Sequence, residues 1–260
     1  MTEPATDFVD VNGEPCRVWT KGTGTRVGFL AGFSGLPKWI PFLDRLAEKY
    51  EVVAPSIPGY PGGQGFRRLD NHVDWLTAVR ELLEGAGLDE DAILIGSGPG
   101  GSYAAEMAAL WPKSVKSLAL IAPWGTYDDN APMTDPWAAT PGDQAALMVE
   151  NLDLWNELRS TPEGANSVEF PIEQTRVLEA SARDFWPLSD TGLAKRLRRI
   201  ICPTLLIWGE KDRILPPANA KTFERGITGP TKTVTVAGAG HLAELDKPDE
   251  TAKAIIDFIG

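Results

Sequence analysis

One glycine-rich stretch decides the fold of this chain, and it reads Gly96-Ser97-Gly98-Pro99-Gly100-Gly101. Before it, residues 92–95 form an apolar run that is typical of a short buried strand. After it, residues 102–110 have the composition of a buried helix. The sequence therefore predicts a strand, a tight turn and a helix in immediate succession.

This succession is the context of the G-x-S-x-G nucleophile elbow, in which a serine sits on a strained turn with its hydroxyl exposed. Gly96 and Gly100 occupy the two outer glycine positions of that motif, and the middle position holds Gly98. Glycine has no side chain with which to attack a substrate. The pattern thus predicts a catalytic turn that lacks its nucleophile.

Four further motifs carry a resemblance to the α/β-hydrolase family. Residues 30–35 are similar to the HGxxG-type segment whose backbone N–H groups help to bind an oxyanion. Residues 53–60 resemble the family's APDLPGFG strand end. Residues 205–212 are similar to the segment that presents the acid, and residues 238–241 to the loop that carries the histidine. The order of nucleophile site, acid and histidine is the one expected for this fold.

The resemblance implies roles for three residues of the candidate catalytic centre. In the family, an aspartate after the seventh strand accepts a hydrogen bond from one imidazole nitrogen, so that the other nitrogen faces the elbow as a general base. Asp212 and His241 occupy these positions, and Gly98 occupies the position of the nucleophile. The second histidine, His72, lies at a predicted helix start and is expected to be structural or on the surface.

The resemblance also implies an oxyanion site that departs from the family pattern. The residue after the nucleophile normally supplies a backbone N–H, but here it is Pro99, which has none. Ala31 replaces the usual histidine of the HG pair, whereas the N–H of Phe33 can still donate. Ser34 is predicted to donate a hydrogen bond to the substrate, and Trp124 is predicted to line the pocket.

Hydrophobic periodicity predicts an α/β fold with a mostly parallel central sheet and helices on both faces. Apolar runs without alternation suit parallel strands that are buried on both sides. The Asn12-Gly13 dipeptide predicts a hairpin over residues 7–22. The other predicted strands are 26–33, 51–57 and 118–122, and the predicted helices before the elbow are 38–50 and 72–85.

Residues 125–199 break this rhythm, because they are rich in Pro, Asp and Trp and carry helical patterns instead of strands. The resemblance implies a helical cap at this point, which would close over the pocket and exclude water. The core domain would then comprise residues 1–124 and 200–260. The apolar face of the cap is predicted to come from Met133, Trp137, Leu147, Met148, Trp155, Phe185 and Trp186.

Composition and charge argue against several classes of partner and site. The net charge of −11 argues against nucleic acid as a partner, and no apolar segment approaches the ~18–20 residues of a membrane span. Cys16 and Cys202 form no metal or redox motif, and no signal peptide is visible. We therefore expect a cytoplasmic protein with a small-molecule substrate and with neither metal nor cofactor. The oligomeric state stays open.

Three functional hypotheses from different classes follow from these residues. In the first, an enzyme uses His241 and Asp212 as a general base without a covalent nucleophile, on a small hydrophobic carbonyl-type substrate. That chemistry would be lyase, addition, or carbon–carbon bond-forming or bond-cleaving chemistry, as in natural-product biosynthesis. In the second, the chain is a serine hydrolase of ester or carbon–carbon bonds whose serine at position 98 has been replaced by glycine. In the third, it is a ligand-binding pseudoenzyme.

Overall fold

The computed structural model describes residues 3–162, 164–187 and 189–260, which are organised around one eight-stranded sheet. Across the sheet the strands follow the order β1-β2-β4-β3-β5-β6-β7-β8 when they are numbered along the chain. The first hairpin and the pairing of the second strand with the fourth are antiparallel, and all other pairs are parallel. The strands are β1 (Ala5–Val11), β2 (Glu14–Lys21), β3 (Arg26–Leu30), β4 (Glu51–Pro55), β5 (Ala92–Ser97), β6 (Val115–Ile121), β7 (Thr204–Gly209) and β8 (Thr231–Val236).

Nine α-helices accompany the sheet in the described part of the chain. They are α1 (Pro41–Ala47), α2 (His72–Gly85), α3 (Gly98–Leu110), α4 (Pro141–Met148), α5 (Leu152–Arg159), α6 (Glu169–Phe185), α7 (Ala220–Gly226), α8 (Ala243–Asp246) and α9 (Pro248–Ile259). Helices α1, α8 and α9 pack together, while α3 packs on β5 and β6 and against α2. Every residue of β5 and β7 is buried, as parallel strands are when helices cover both faces of a sheet.

The predicted fold class is confirmed, and several element boundaries agree with the sequence patterns. The Asn12-Gly13 turn joins β1 to β2, and both turn residues have positive φ. Helix α2 begins and ends where the pattern predicts. Its start is fixed by a capping box, because the Asn71 side chain accepts hydrogen bonds from Val73 N and Asp74 N. The Asp74 side chain accepts in return from the backbone N of Asn71.

Three elements are shorter than predicted. Strand β4 ends at Pro55 instead of at residue 57, and local reasons account for the other two, α1 and β3. Helix α1 begins at Pro41 instead of at residue 38, because a residue before proline is driven out of the helical region. Ile40 is accordingly extended, with φ −114° and ψ 153°. Strand β3 ends at Leu30 instead of at residue 33. The chain then turns, and Gly35 N donates to Gly32 O at 2.8 Å.

The segment between β6 and β7 contains α4, α5 and α6, and we call residues 125–199 the insertion. Of the side chains predicted to form its apolar face, Met148, Trp155 and Phe185 are buried, and Met133, Trp137 and Leu147 are partly buried. The prediction is wrong for Trp186, which is 61% exposed. Helix α6 ends at Phe185 and Trp186 is extended, so its side chain leaves the apolar stripe. Neither these helices nor any other among the described residues has the length and apolarity needed to cross a membrane.

Candidate functional site

The glycine-rich turn joins β5 to α3 without an intervening loop, because β5 ends at Ser97 and α3 begins at Gly98. Gly98 has φ +48°, in the left-handed region that favours glycine. Gly100 lies against β3, where a Cβ would come within 2.3 Å of the backbone oxygen of Leu30. The turn therefore holds residue 98 in a fixed place at the carboxyl end of the central strand.

The direction of a side chain at position 98 follows from this backbone. A Cβ built on Gly98 would lie 3.4 Å from His241 Nε2 and 3.5 Å from Trp124 Nε1. It would also lie 3.8 Å from the backbone N of Phe33. Position 98 thus points at an imidazole nitrogen and at a backbone N–H, which are the two groups that a serine nucleophile requires.

His241 and Asp212 come together from the loops that follow β8 and β7. Imidazole Nδ1 lies 2.8 Å from Asp212 Oδ2, and both side chains are fully buried. Asp212 Oδ1 accepts hydrogen bonds of 2.9 Å from the backbone N of Ile214 and of Leu215. Because the carboxylate is held in this way, it accepts a hydrogen bond from Nδ1–H, and the lone pair stays on Nε2, the nitrogen nearer the elbow.

A second carboxylate, Asp246, fixes the loop that carries His241. It accepts a hydrogen bond from Gly240 N at 2.8 Å. It also accepts hydrogen bonds from Glu150 N and Asn151 N, which lie just before α5 in the insertion. Asp246 therefore joins the histidine loop to the insertion, a role that the sequence patterns did not reveal.

Trp124 contacts His241 directly. Its indole Nε1–H donates to His241 Nε2 at 3.1 Å, and its backbone N donates to Gly98 O at 3.0 Å. Trp124 and His241 are both 0% exposed. Both imidazole nitrogens therefore have partners within the protein, and the indole Nε1 lies beside both the imidazole and the position of the nucleophile.

Three aromatic rings surround the indole of Trp124. The ring centroids lie 5.4 Å away for Phe33, 5.5 Å for Trp137 and 5.7 Å for Phe185. The last two rings belong to the insertion, so the insertion completes the enclosure of the site. We call Phe33, Trp137 and Phe185 the aromatic cradle.

The remaining predicted site residues lie on the oxyanion side. Pro99 sits in the first turn of α3 and offers no N–H, so the backbone N of Phe33 is the nearest backbone donor to a Cβ at position 98. Ser34 and Glu244 line a small cavity of about 20 Å³. The Ser34 hydroxyl has no hydrogen-bond partner among the residues described. Its predicted contact with a substrate stays a prediction.

A second group of ionisable side chains ties the insertion to the core, and we call His72, Tyr103, Glu106, Asp184 and Arg196 the ionic cluster. His72 Nδ1 lies 2.9 Å from Asp184 Oδ1, and His72 Nε2 lies 3.3 Å from Glu106 Oε1. Tyr103 donates to Asp184 Oδ2 at 2.7 Å. The guanidinium of Arg196 binds both oxygens of Glu106. His72 is therefore structural, as predicted, but it is only 20% exposed and lies between two carboxylates.

The charges of the ionic cluster raise the pKa of His72 and lower the pKa of Glu106. Burial lowers the pKa of His72, but hydrogen bonds and charge from Asp184 and Glu106 outweigh burial and raise that pKa to about 9. Burial alone would raise the pKa of Glu106, yet His72 and Arg196 hold it below its usual value. At neutral pH the cluster thus contains two cations facing two carboxylates.

This shift predicts that stability falls at alkaline pH. The folded-state pKa of His72 is about 9 against 6.5 for the unfolded chain, so its contribution is complete below pH 6.5 and is lost as pH rises through 9. We expect a loss of up to about 3 kcal/mol from this group across that window. Urea unfolding at about pH 6 and about pH 10 measures it. A His72→Gln variant that shows the same alkaline loss as the parent chain would contradict the assignment.

The sequence held one signal for the ionic cluster. Glu106 interrupts the run of small and apolar residues over 103–110, and a charge in a helix that is otherwise buried requires a partner. Its partners lie at sequence separations of 34 for His72 and 90 for Arg196. Nothing in the local pattern indicates such distant partners. Among the residues described, no group of three or more His, Cys, Asp or Glu side chains could hold a metal ion.

Known proteins are similar in sequence to this chain over most of its length. Residues 28–254 match the model of the alpha/beta hydrolase family. The chain is 28% identical to the dihydrolipoyllysine-residue acetyltransferase component of the acetoin cleaving system of Cupriavidus necator, over 95% of this chain and 67% of that protein. It is 26% identical to lipase 1 of Psychrobacter immobilis, over 85% of this chain and 72% of the lipase. It is 25% identical to the human monoacylglycerol lipase ABHD6, over 88% and 74%.

Solved structures share the fold at lower identity. The naproxen esterase of Bacillus subtilis superposes with a TM-score of 0.76 at 17% identity, covering 99% of this chain and 92% of the esterase. The 2-hydroxy-6-oxo-6-phenylhexa-2,4-dienoate hydrolase of a Rhodococcus species gives a TM-score of 0.73 at 18% identity, covering 100% and 99%. At these identities the likeness concerns the fold alone.

Proposed function

Because the chain belongs to the alpha/beta hydrolase family, we propose that its site is that of an ester or carbon–carbon bond hydrolase in which glycine occupies the position of the nucleophile. In this form the chain binds the substrate but forms no acyl-enzyme. The observation that carries the proposal is the direction of position 98. A Cβ there would point at His241 Nε2 from 3.4 Å and at Phe33 N from 3.8 Å.

Each remaining group has a role in this proposal. His241 is the general base, and Asp212 holds its tautomer and would stabilise the imidazolium that forms. The backbone N of Phe33 is the oxyanion donor, and Pro99 removes the second donor that the family uses. The insertion acts as the cap, since Trp137 and Phe185 enclose the site from that side.

The lipases among the named relatives support hydrolysis over the lyase or addition chemistry that the sequence first suggested. They match most of the chain. Structures of the same fold include an esterase and a hydrolase of a dienoate. A small carbonyl compound is accordingly the proposed substrate class.

Restoring the nucleophile tests the proposal. We expect Gly98→Ser to react with a fluorophosphonate probe and to hydrolyse short aryl esters slowly, whereas the parent chain does neither. Turnover should stay low, because one missing oxyanion donor typically lowers the rate on the order of 10²–10³-fold. The measurement is probe labelling with mass-spectrometric assignment of the labelled residue, beside ester hydrolysis.

Two further variants make the result specific. Gly98→Ser with His241→Ala should lose the labelling, because the serine then has no base. Gly98→Ser with Trp124→Ala removes the indole from the path of the probe. Folding of each protein is checked by thermal unfolding. If both serine-containing proteins with His241 intact are folded and inert to the probe, the hydrolase proposal is wrong.

One observation favours a second candidate, in which His241 transfers protons without covalent catalysis. Pro99 removes an oxyanion donor, yet the His241–Asp212 pair keeps full hydrogen-bonding geometry. A base that accepts a proton from a bound carbonyl compound needs that pair and needs no nucleophile. Inert serine-containing variants, together with a carbonyl substrate that the parent chain converts only when His241 is present, would favour this candidate.

A further inference from the structure

The indole of Trp124 lies where the reacting part of a substrate would have to lie. Its Nε1 is 3.1 Å from His241 Nε2 and 3.5 Å from a Cβ built at position 98. In a serine hydrolase the nucleophile's hydroxyl donates to the same imidazole nitrogen. Trp124 therefore supplies the hydrogen-bond donor that Gly98 lacks.

The aromatic cradle surrounds this indole on its apolar side. The ring of Phe33 is tilted by 37° to the indole, while Trp137 and Phe185 meet it edge to face at 78° and 83°. Such edge contacts favour a flat ring over an aliphatic group of the same volume. At the other end, His241 Nε2 offers one hydrogen-bond acceptor. A flat ring with a single hydrogen-bond donor therefore matches both the aromatic cradle and the imidazole nitrogen.

The backbone has positive φ on both sides of Trp124. Ala122 has φ +40° and Gly125 has φ +96°. A side-chain-bearing residue such as Ala122 is strained in that region. Trp124 thus sits between a strained residue that follows β6 and the first residue of the insertion.

We propose that Trp124 is the built-in occupant of an aryl-binding subsite. The ligand class is an uncharged planar aromatic molecule of about the size of indole that carries one N–H or O–H donor. It binds in the aromatic cradle when the Trp124 side chain moves out, and its donor takes over the hydrogen bond to His241. An anionic ligand is excluded because the cradle offers no cation to pair with it. The statement that this ligand is the substrate's reacting end rests on the proposed function.

Removal of the occupant tests the subsite directly. We expect indole to bind the Trp124→Ala protein and to raise its Tm by roughly 5–10 °C when present at about a hundred times its Kd. The matched probe 1-methylindole carries a methyl group in place of the N–H donor, and its binding should be at least about tenfold weaker. The parent chain, with the subsite occupied, should respond to neither probe at these concentrations. Isothermal titration calorimetry and thermal unfolding supply the readouts.

The same comparison remains decisive if Trp124→Ala does not fold alone. In that case refolding yield is measured with indole, with 1-methylindole and without either, and indole should restore folding most. The proposal is overturned if indole neither binds nor restores folding, or if both probes act equally on the variant and the parent chain.

A second measurement follows the hydrogen bond itself. The chain has only two histidines, so ¹⁵N-histidine NMR resolves His241 from His72. In Trp124→Ala the Nε2 resonance should move on adding indole and should not move with 1-methylindole. These tests are made with Gly98 in place and involve no turnover. Their failure therefore removes the aryl subsite and leaves the labelling test of position 98 unaffected, and the reverse also holds.

Discussion

Replacing Trp124 by alanine is expected to lower the free energy of unfolding by about 3–5 kcal/mol. The indole is fully buried among Phe33, Trp137 and Phe185, so its removal leaves a cavity that the surrounding rings cannot fill. The change also leaves His241 Nε2 without its donor, which adds the penalty of an unpaired buried polar atom. Urea or guanidinium unfolding of the variant and the parent chain measures the difference.

Two further variants serve as comparisons for Trp124→Ala. Trp124→Phe keeps most of the ring and removes the N–H, so its loss should be smaller than that of alanine, at about 1–3 kcal/mol. Trp186→Ala removes an indole that is 61% exposed, and it should change stability by less than about 0.5 kcal/mol. Equal losses for Trp124→Ala and Trp186→Ala would show that the first indole is not the packed centre of the site.

The second large effect is expected for Glu106→Ala, at about 3–5 kcal/mol of destabilisation. The Glu106 side chain is 0% exposed and binds both His72 and Arg196. Its removal leaves those two cations with Asp184 as the one remaining carboxylate of the ionic cluster. Denaturant unfolding near neutral pH, where His72 is charged, is the appropriate measurement.

The controls separate charge from volume. Glu106→Gln preserves the size of the side chain and removes its charge, so the pKa of His72 should fall toward its ordinary value, as followed by NMR. Glu84→Ala breaks an exposed ion pair with Arg80 on α2 and should cost no more than about 0.5 kcal/mol. If Glu106→Ala is as mild as Glu84→Ala, the ionic cluster does not hold the insertion on the core.

Much of the fold could be predicted because local signals and global pattern agree. The capping residue Asn71 and the periodic apolar residues of α2 set both ends of that helix. The uninterrupted apolar run before the elbow predicted a central buried strand, and β5 is buried along its whole length. Boundaries shifted where a proline or a turn took precedence, as at Pro41 and after Leu30.

The candidate site could be predicted in part. The resemblance identified Gly98, Asp212 and His241, and the structure brings these three positions together. The hydrogen bond from Trp124 to His241 could not be predicted. The two residues are 117 positions apart in sequence, and the bond depends on how their side chains are oriented. The same limit applies to His72, whose partners become neighbours only when α6 and α3 pack together.

The left-handed turn at Gly98 has an evolutionary consequence. With φ +48°, the turn strains any residue that bears a side chain, by about 1–3 kcal/mol, whereas glycine adopts it freely. An ancestor that exchanged its nucleophile for glycine would have lost turnover and gained stability in one step. Return to serine would then give up this stability. Selection for a stable fold alone can therefore preserve this non-nucleophilic form.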